Sequence, residues 1–226
     1  MSKMFPFITK TWNPIGGTCI HNCSYCWAKA LSKQYDMSKY QGIPRLYPKE
    51  LKRNFKDNDF VFVQDMSDLF SDNIPDNYIK CVINRLYDFP KTKFLFLTKN
   101  PKRYLDFIFP NNAVLGATIE SDLDMNISSA PRPLKRLEAM YELMHEHKMI
   151  SIEPIMRFSV DFETSLINCQ PDFVAVGYDN YNNGLDEPYL KDTEFLIAGL
   201  EQVGIKVYRK TIREMIVCEE PKNEMF

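Results

Sequence analysis

Short apolar runs alternate with longer amphipathic segments along most of the chain. The runs are rich in Val, Ile, Leu and Phe, and such continuous apolar stretches are typical of strands buried on both faces of a parallel sheet. They lie at 60–64 (FVFVQ), 94–98 (FLFLT), 114–119 (VLGATI), 149–153 (MISIE), 173–177 (FVAVG) and 205–209 (IKVYR). An earlier run at 5–9 (FPFIT) predicts a weaker strand, because Pro6 has no backbone N–H to donate to a neighbouring strand.

The segments 77–88, 133–146 and 191–203 have helical periodicity. Their apolar stripes are Ile79, Val82, Ile83 and Leu86 in the first, Leu134, Leu137, Tyr141 and Met144 in the second, and Leu196, Leu200 and Val203 in the third. Asp76, and Asn100 before Pro101, are candidate helix starts, and Gly204 is a candidate C-terminal cap.

Alternation of strands and helices predicts right-handed βαβ units and therefore an α/β fold. About six to seven strands are too few for the eight units of a closed barrel. We expect a partial, open parallel βα barrel, with a doubly wound open sheet as the alternative. Residues 1–226 are expected to form one domain with a frayed tail at 217–226, and the polar segment 179–188 (DNYNNGLDEP) is a candidate lid.

Composition narrows the class of protein. Of the 226 residues, 45% are hydrophobic and 26% are charged, which is ordinary globular composition and excludes a disordered chain. No apolar run approaches the roughly 18 residues of a membrane span, and the N-terminus lacks the pattern of a secretory signal. We therefore expect a cytoplasmic protein without a membrane partner. The net charge of -2 argues against a generally basic surface for nucleic acid but permits a local basic patch.

The chemistry is concentrated in the segment 16–27 (GGTCIHNCSYCW), where Cys19, Cys23 and Cys26 have the spacing C-x3-C-x2-C. Thiolates suit iron–sulfur clusters and zinc. Three thiolates can hold one face of a cube-shaped cluster but leave one iron with an open position, as a catalytic metal requires. A zinc site completed by His21 or by a remote ligand is the alternative. The preceding Gly16 and Gly17 permit a close backbone approach or a positive φ.

This loop, including Tyr25 in the pattern C-x3-C-x-aromatic-C, resembles the cluster loop of radical S-adenosylmethionine (SAM) enzymes. The resemblance implies a partial βα barrel whose cluster loop follows the first strand. It implies that Cys19, Cys23 and Cys26 hold a 4Fe–4S cluster with SAM as co-substrate. It also implies an external electron donor of the flavodoxin or ferredoxin type.

Further motifs are similar to a phage-associated radical-SAM-like family of unassigned substrate. They are 11–14 (TWNP), 65–70 (DMSDLF), 97–101 (LTKNP), 116–120 (GATIE) and 151–154 (SIEP). The chain departs from that family at 177–180 (GYDN), where a Gly-Gly-Glu-Ser-Gly-like turn is usual. The superfamily's Gly-Gly-Glu motif after the second strand is also absent, and the segment 65–68 occupies its place.

Polar residues follow several of the apolar runs, and the carboxyl ends of parallel strands meet at one edge of a sheet. We hypothesise that Asp65, Ser67 or Asp68 accepts hydrogen bonds from the SAM ammonium group. Glu120 and Ser121 are candidates for the ribose hydroxyls, with Tyr25 as a further cofactor-binding residue. Lys99, Arg157 or Lys210 is a candidate partner for a carboxylate or phosphate, and we expect Glu153 and Lys99 to be catalytic.

Two other function classes stay open from the sequence. One is a nucleic-acid-binding module in which zinc or a cluster only stabilises the loop, and the other is an electron-transfer protein. Cys81, Cys169 and Cys218 are expected to be inert, with Cys81 a small core residue of a helix. The substrate is expected to be a small molecule, a nucleotide or nucleic acid, or a partner protein.

Overall fold

The computed structural model describes residues 5–31 and 35–214. The strands of this part are β1 (Lys10–Trp12), β2 (Ile15–Gly16), β3 (Arg45–Leu46), β4 (Phe60–Val63), β5 (Lys93–Thr98), β6 (Ala113–Thr118), β7 (Lys148–Ile152), β8 (Phe173–Val176) and β9 (Lys206–Arg209). The α-helices are α1 (Trp27–Leu31), α2 (Pro48–Leu51), α3 (Asp76–Leu86), α4 (Pro133–Glu142), α5 (Phe162–Asn168) and α6 (Leu190–Gln202). Short 3₁₀ helices lie at Ser38–Tyr40 and Pro101–Asp106.

Within the described ranges, one parallel sheet of 7 strands has the order β1-β4-β5-β6-β7-β8-β9. The spatial order follows the chain order throughout, whereas a doubly wound sheet reverses direction near its middle. The two edge strands do not pair with each other, so the sheet is an open, partial barrel, as predicted. β2 and β3 form a separate antiparallel pair.

The helices cover the outer face of this sheet. Alternate side chains of the strands, such as Val61 and Phe94, pack outward against helices in the larger core cluster. The intervening ones, such as Phe62 and Leu95, pack inward in a smaller cluster. Both faces are thus buried, which explains why the strands are continuous apolar runs in the sequence. The six strands predicted from apolar runs between residues 60 and 209 are all confirmed, and their observed ends lie within about one residue of the predicted ones.

The weaker strand predicted at 5–9 is wrong, because the first strand is β1 and the preceding residues fill the inside of the partial barrel. The ring of Phe7 lies 5.1 Å from that of Phe60, 5.2 Å from Phe173 and 4.8 Å from Tyr208. Phe60 and Phe173 are the first residues of β4 and β8. This segment therefore closes the amino end of the barrel with aromatic side chains, and the polar chemistry is left at the carboxyl end.

The helix predicted over 133–146 is too long and its buried face is misplaced. α4 ends at Glu142, four residues before the predicted end at Glu146. Of the predicted stripe, Leu137 is buried, but Leu134, Tyr141 and Met144 are 62%, 65% and 96% exposed. The buried face instead includes Arg136 and Met140. The helix is oriented so that Arg136 contacts Glu120, a carboxylate just beyond the end of β6 that lies 16 residues earlier in the sequence.

Three smaller outcomes complete the comparison with the sequence. Gly204 has φ of +85° directly after α6 and is confirmed as a cap, although Val203 is exposed rather than part of the buried stripe. Cys81 is exposed on α3, so its prediction as a core residue is wrong. The sequence patterns did not predict α5, and the helix expected after Asn100 is a 3₁₀ helix.

Some predictions are not tested by the fold. Cys218 and the expected frayed tail at 217–226 lie outside the described residues, and the single domain over 1–226 stays a prediction. In the described part of the chain, no helix combines the length and apolar character needed to cross a membrane.

Candidate functional site

The candidate site lies where the strands of the large sheet end. Gln64 directly follows β4, Lys99 follows β5, Glu153 follows β7 and Lys210 follows β9, while Glu120 lies two residues beyond β6. The cysteine loop occupies the stretch between β2 and α1 and lies at the same edge, because Tyr25 of this loop contacts Lys99 and Glu120. The structure thus brings together Lys99 and Glu120, two of the residues that follow apolar runs, and Tyr25 of the cysteine loop joins them.

Gln64 joins the start of the cysteine loop to the end of β4. Its Oε1 accepts from the backbone N of Ile15 at 3.1 Å, and its Nε2 donates to the Ile15 carbonyl at 2.8 Å. The same Nε2 donates to Oγ of Ser67 at 2.7 Å. A Cβ on Gly16 would lie 2.1 Å from the carbonyl oxygen of Lys39, so only glycine fits at this entry to the loop, as the sequence predicted.

Asp68 is the anchor of the cysteine loop. It accepts from Nε2 of His21 at 2.9 Å, from Oγ1 of Thr98 at 2.8 Å, and from the backbone N–H groups of Phe70 and Lys99 at 2.8 Å each. Burial alone would raise the pKa of Asp68, but the hydrogen bonds and charge of its partners outweigh burial and lower it. His21 is therefore a buried residue that holds the loop, whereas the sequence offered it as an alternative zinc ligand.

The second anchor of the loop is a buried polar group that joins Tyr25, Lys99, Glu120 and Arg136. The hydroxyl of Tyr25 donates to Oε1 of Glu120, and Nζ of Lys99 contacts both the Tyr25 hydroxyl and this same oxygen. The other carboxylate oxygen, Oε2, accepts from Nη1 of Arg136 at 2.6 Å. One carboxylate thus lies between two cationic groups and fixes the aromatic residue of the cysteine loop.

Arg136 was not among the site residues predicted from the sequence. A signal was present, since Arg136 lies three residues after Pro133 and four before Met140, the spacing of one helix face. All three residues are buried on α4. A long cationic side chain on a buried helix face needs a carboxylate partner, and Glu120 provides it.

Burial dominates the electrostatics of this site. It lowers the pKa of Lys99 to about 7, with the thiol of Cys23 opposing the shift and Arg136 adding to it. Burial and the nearby carboxylate of Asp68 raise the pKa of Cys19 to about 12. Burial also raises the pKa of Cys23, although Lys99 and Arg136 oppose that increase. Burial is the larger effect, so the pKa of Cys23 stays above its usual value and the two cations only reduce the increase.

The three cysteines of the loop are free thiols that are partly exposed. Among residues 5–31 and 35–214, no three His, Cys, Asp or Glu side chains are arranged to hold a single metal ion. Thiolates that bind three different irons of a cube lie further apart than ligands that share one ion, so this spacing does not conflict with a cluster. The donor set, three soft ligands beside cationic groups, fits an anionic iron–sulfur cluster better than zinc.

The remaining predicted residues lie around this centre. Asp65 is held by Nδ2 of Asn13 at 2.5 Å, and burial raises its pKa. Glu153 pairs with Lys210 and not with Lys99, and burial raises the pKa of Glu153 while Lys210 opposes the shift. Oγ of Ser121 donates to the carbonyl of Arg157 at 2.6 Å. The guanidinium of Arg157 pairs with Asp186 of the 179–188 segment.

A small pocket of about 20 Å³ opens beside the Glu120–Arg136 pair. Its lining also includes Ser121, Ser128 and Met156. A space of this size has room for about one water molecule. Glu120 and Ser121, the predicted ribose-binding residues, thus both line a cavity next to the cysteine loop.

The comparisons with known proteins agree with this architecture. A family model described as a protein of unknown function (DUF5131) matches residues 3–203. No curated protein matches this chain.

Several forms of spore photoproduct lyase are similar in structure to the chain. A cysteine-to-serine mutant superposes with a TM-score of 0.60 and 12% identity, covering 88% of this chain and 76% of the other. A cysteine-to-alanine mutant with dinucleoside spore photoproduct gives 0.58 and 13%, covering 87% and 75%. A tyrosine-to-phenylalanine mutant gives 0.58 and 13%, covering 86% and 74%. At this level of identity the likeness establishes the fold alone.

Proposed function

The chain belongs to the DUF5131 family, and from that premise we propose that it is a radical SAM enzyme. The observation that carries the proposal is the buried group of Tyr25, Lys99, Glu120 and Arg136, which fixes a loop of three free cysteines at the carboxyl edge of an open parallel barrel. The fold-level likeness to spore photoproduct lyase, a radical SAM enzyme, supports the same reading.

Cys19, Cys23 and Cys26 would hold a 4Fe–4S cluster in this proposal. When bound, the cluster and SAM supply reductive cleavage of SAM to a 5′-deoxyadenosyl radical, which abstracts a hydrogen atom from the substrate. The chain itself contributes ligation, orientation and exclusion of side reactions. The phenylalanine-rich segment at the amino end of the barrel prevents solvent from entering from that side.

Several residues of the site are suited to bind SAM. Lys99 contacts Tyr25 of the cysteine loop, and we assign it the role of binding an anionic group such as the SAM carboxylate. Asp65 and Ser67 are our candidates for the ammonium group. The contacts favour them over Asp68, because the oxygens of Asp68 already accept from four groups of the chain. Glu120 remains our candidate for the ribose, and it lines the small pocket beside Arg136.

Glu153 is our candidate for a residue that faces the substrate. It follows β7 at the carboxyl edge, it is largely buried, and Lys210 holds its carboxylate. The substrate classes and the flavodoxin- or ferredoxin-type donor expected from the sequence stay predictions. Spore photoproduct lyase has been obtained with a dinucleoside ligand, and a nucleotide or nucleic acid is one of those classes.

The experiment is anaerobic reconstitution with iron and sulfide, followed by dithionite and SAM. We expect about four irons per chain, visible absorption typical of a cluster, and release of 5′-deoxyadenosine detected by mass spectrometry. Cys23→Ala should lose the cluster, whereas Cys81→Ala is the matched control, because Cys81 is an exposed cysteine on α3. A folded wild-type protein that holds no iron would refute the proposal, and so would an intact cluster that never cleaves SAM.

No observation favours the alternative of a zinc-stabilised nucleic-acid-binding module. In the described part of the chain, His21 and the three cysteines do not come together as a group that could hold one metal ion. Several of the cationic side chains around the carboxyl edge, including Arg157, Lys210 and Arg213, are paired with carboxylates. Such pairs leave little free positive charge for a phosphate backbone.

A further inference from the structure

Arg136 is a buried cation beside the cysteine loop. Its side chain is 2% exposed. Nε donates to the carbonyl of Pro131 at 2.6 Å, and Nη1 donates to the carbonyl of Thr118 at 2.9 Å and to Oε2 of Glu120 at 2.6 Å. These bonds arise from two different segments, the end of β6 and the turn before α4. The position of the guanidinium is therefore fixed by the fold and does not depend on a bound group.

The guanidinium is linked to the cysteine loop through a single carboxylate. Glu120 accepts from Arg136 with one oxygen and from the hydroxyl of Tyr25 with the other, and Tyr25 lies between Cys23 and Cys26 in the chain. A guanidinium stays protonated at any working pH, so this positive charge is permanent.

The permanent positive charge of the buried group is the guanidinium of Arg136, which contacts Glu120. A fixed, buried cation stabilises a further anion in its neighbourhood. A cluster held by three thiolates is such an anion, and its reduction adds one more negative charge.

We propose that Arg136 is a positioning residue that raises the reduction potential of the cluster and holds Tyr25 of the cysteine loop through Glu120. This inference rests on the proposed function, since it requires a cluster at Cys19, Cys23 and Cys26. The electron is supplied by a low-potential one-electron donor. Removing a fixed positive charge makes reduction of the cluster less favourable, because electrostatic interactions in a buried site are only weakly screened.

The experiment is a redox titration of the reconstituted protein, in which the reduced cluster is quantified by its paramagnetic resonance signal. At a fixed potential near the wild-type midpoint, we expect Arg136→Gln to lower the ratio of reduced to oxidised cluster about tenfold, which corresponds to about 59 mV for a one-electron couple. Arg136→Lys keeps the charge and should restore the wild-type midpoint. Lys135→Gln is the matched control, because it removes the same charge from the neighbouring, exposed position of α4 and should leave the midpoint unchanged.

A second variant removes the negative charge of the same ion pair. Glu120→Gln removes the negative charge that faces Arg136 and should raise the midpoint, and this result decides the question if Arg136→Gln does not fold. The inference is overturned if Arg136→Gln holds a cluster with an unchanged midpoint, if Arg136→Lys shifts as far as Arg136→Gln, or if Glu120→Gln lowers the midpoint. A wild-type protein that binds no cluster would instead overturn the proposed function on which the inference rests.

Discussion

Replacing Asp68 by Asn tests whether this carboxylate anchors the cysteine loop. The substitution keeps the shape of the side chain but changes one acceptor into a donor. The amide oxygen can take the place of Oδ1, where Phe70 and Thr98 donate at 2.8 Å. The amide nitrogen then faces the groups that donate to Oδ2, namely Nε2 of His21 and the backbone N–H of Lys99.

The magnitude follows from these two contacts. His21 can change tautomer and present Nε2 as an acceptor, but the backbone N–H of Lys99 has no such alternative and is left buried without a partner. One orphaned donor costs about 1–3 kcal/mol, and weakening the remaining charge-assisted bonds adds about 1 kcal/mol. We expect a total loss of about 3 kcal/mol, which lowers the Tm of a chain of this size by about 6–12 °C.

The assay is thermal unfolding of Asp68→Asn and the wild-type protein, followed by circular dichroism under identical conditions. The matched control is Asp57→Asn, because Asp57 is an exposed carboxylate that pairs with Lys91 at 3.0 Å at the surface. That exposed pair should contribute no more than about 1 kcal/mol. A Tm for Asp68→Asn within about 1 °C of the wild type would refute the anchoring role.

Three further predictions follow from burial and charge. Leu137→Ala should cost about 2–5 kcal/mol in urea unfolding and Leu134→Ala less than about 0.5 kcal/mol, since only Leu137 is buried, and equal losses would contradict the orientation of α4. The pKa of Asp59 is lowered, because the hydrogen bond from Lys10 outweighs the effect of burial. The ionised carboxylate should therefore stabilise the fold above its unfolded pKa of about 3.9, and this contribution should be lost as the pH falls through the lower pKa of the folded state. Asp59→Asn should therefore flatten the acid limb of the stability curve, and an unchanged limb would contradict this. In native alkylation analysed by peptide mass spectrometry, Cys81 should be labelled rapidly and Cys169 only on unfolding, because burial raises the pKa of Cys169 to about 11; early labelling of Cys169 would contradict its burial.

The sheet was predictable from the sequence because its strands are buried on both faces. Such strands must be apolar at every position, so runs such as 94–98 and 173–177 stand out without knowledge of their partners. The same reasoning failed at 5–9, which is equally apolar. Its aromatic side chains are buried by filling the inside of the barrel rather than by pairing, and composition does not distinguish these two ways of burying a segment.

The candidate site was predictable only in part. Tyr25, Lys99 and Glu120 were chosen because each belongs to a motif or follows an apolar run, and the structure brings all three into contact. Arg136 was not chosen and His21 was considered only as a zinc ligand, because each acquires its role from one partner far away in the chain. Glu120 lies 16 residues from Arg136, and Asp68 lies 47 residues from His21.

The sequence by itself determined which apolar runs become the central strands of a parallel α/β sheet, and that three cysteines share one loop. These properties depend on local composition and spacing, and a single chain displays them directly. Only the tertiary structure decided which face of α4 is buried and which charges surround the cysteine loop. Those outcomes depend on pairing a buried charge with a partner of opposite sign, and such a pair exists only after distant segments have been brought together.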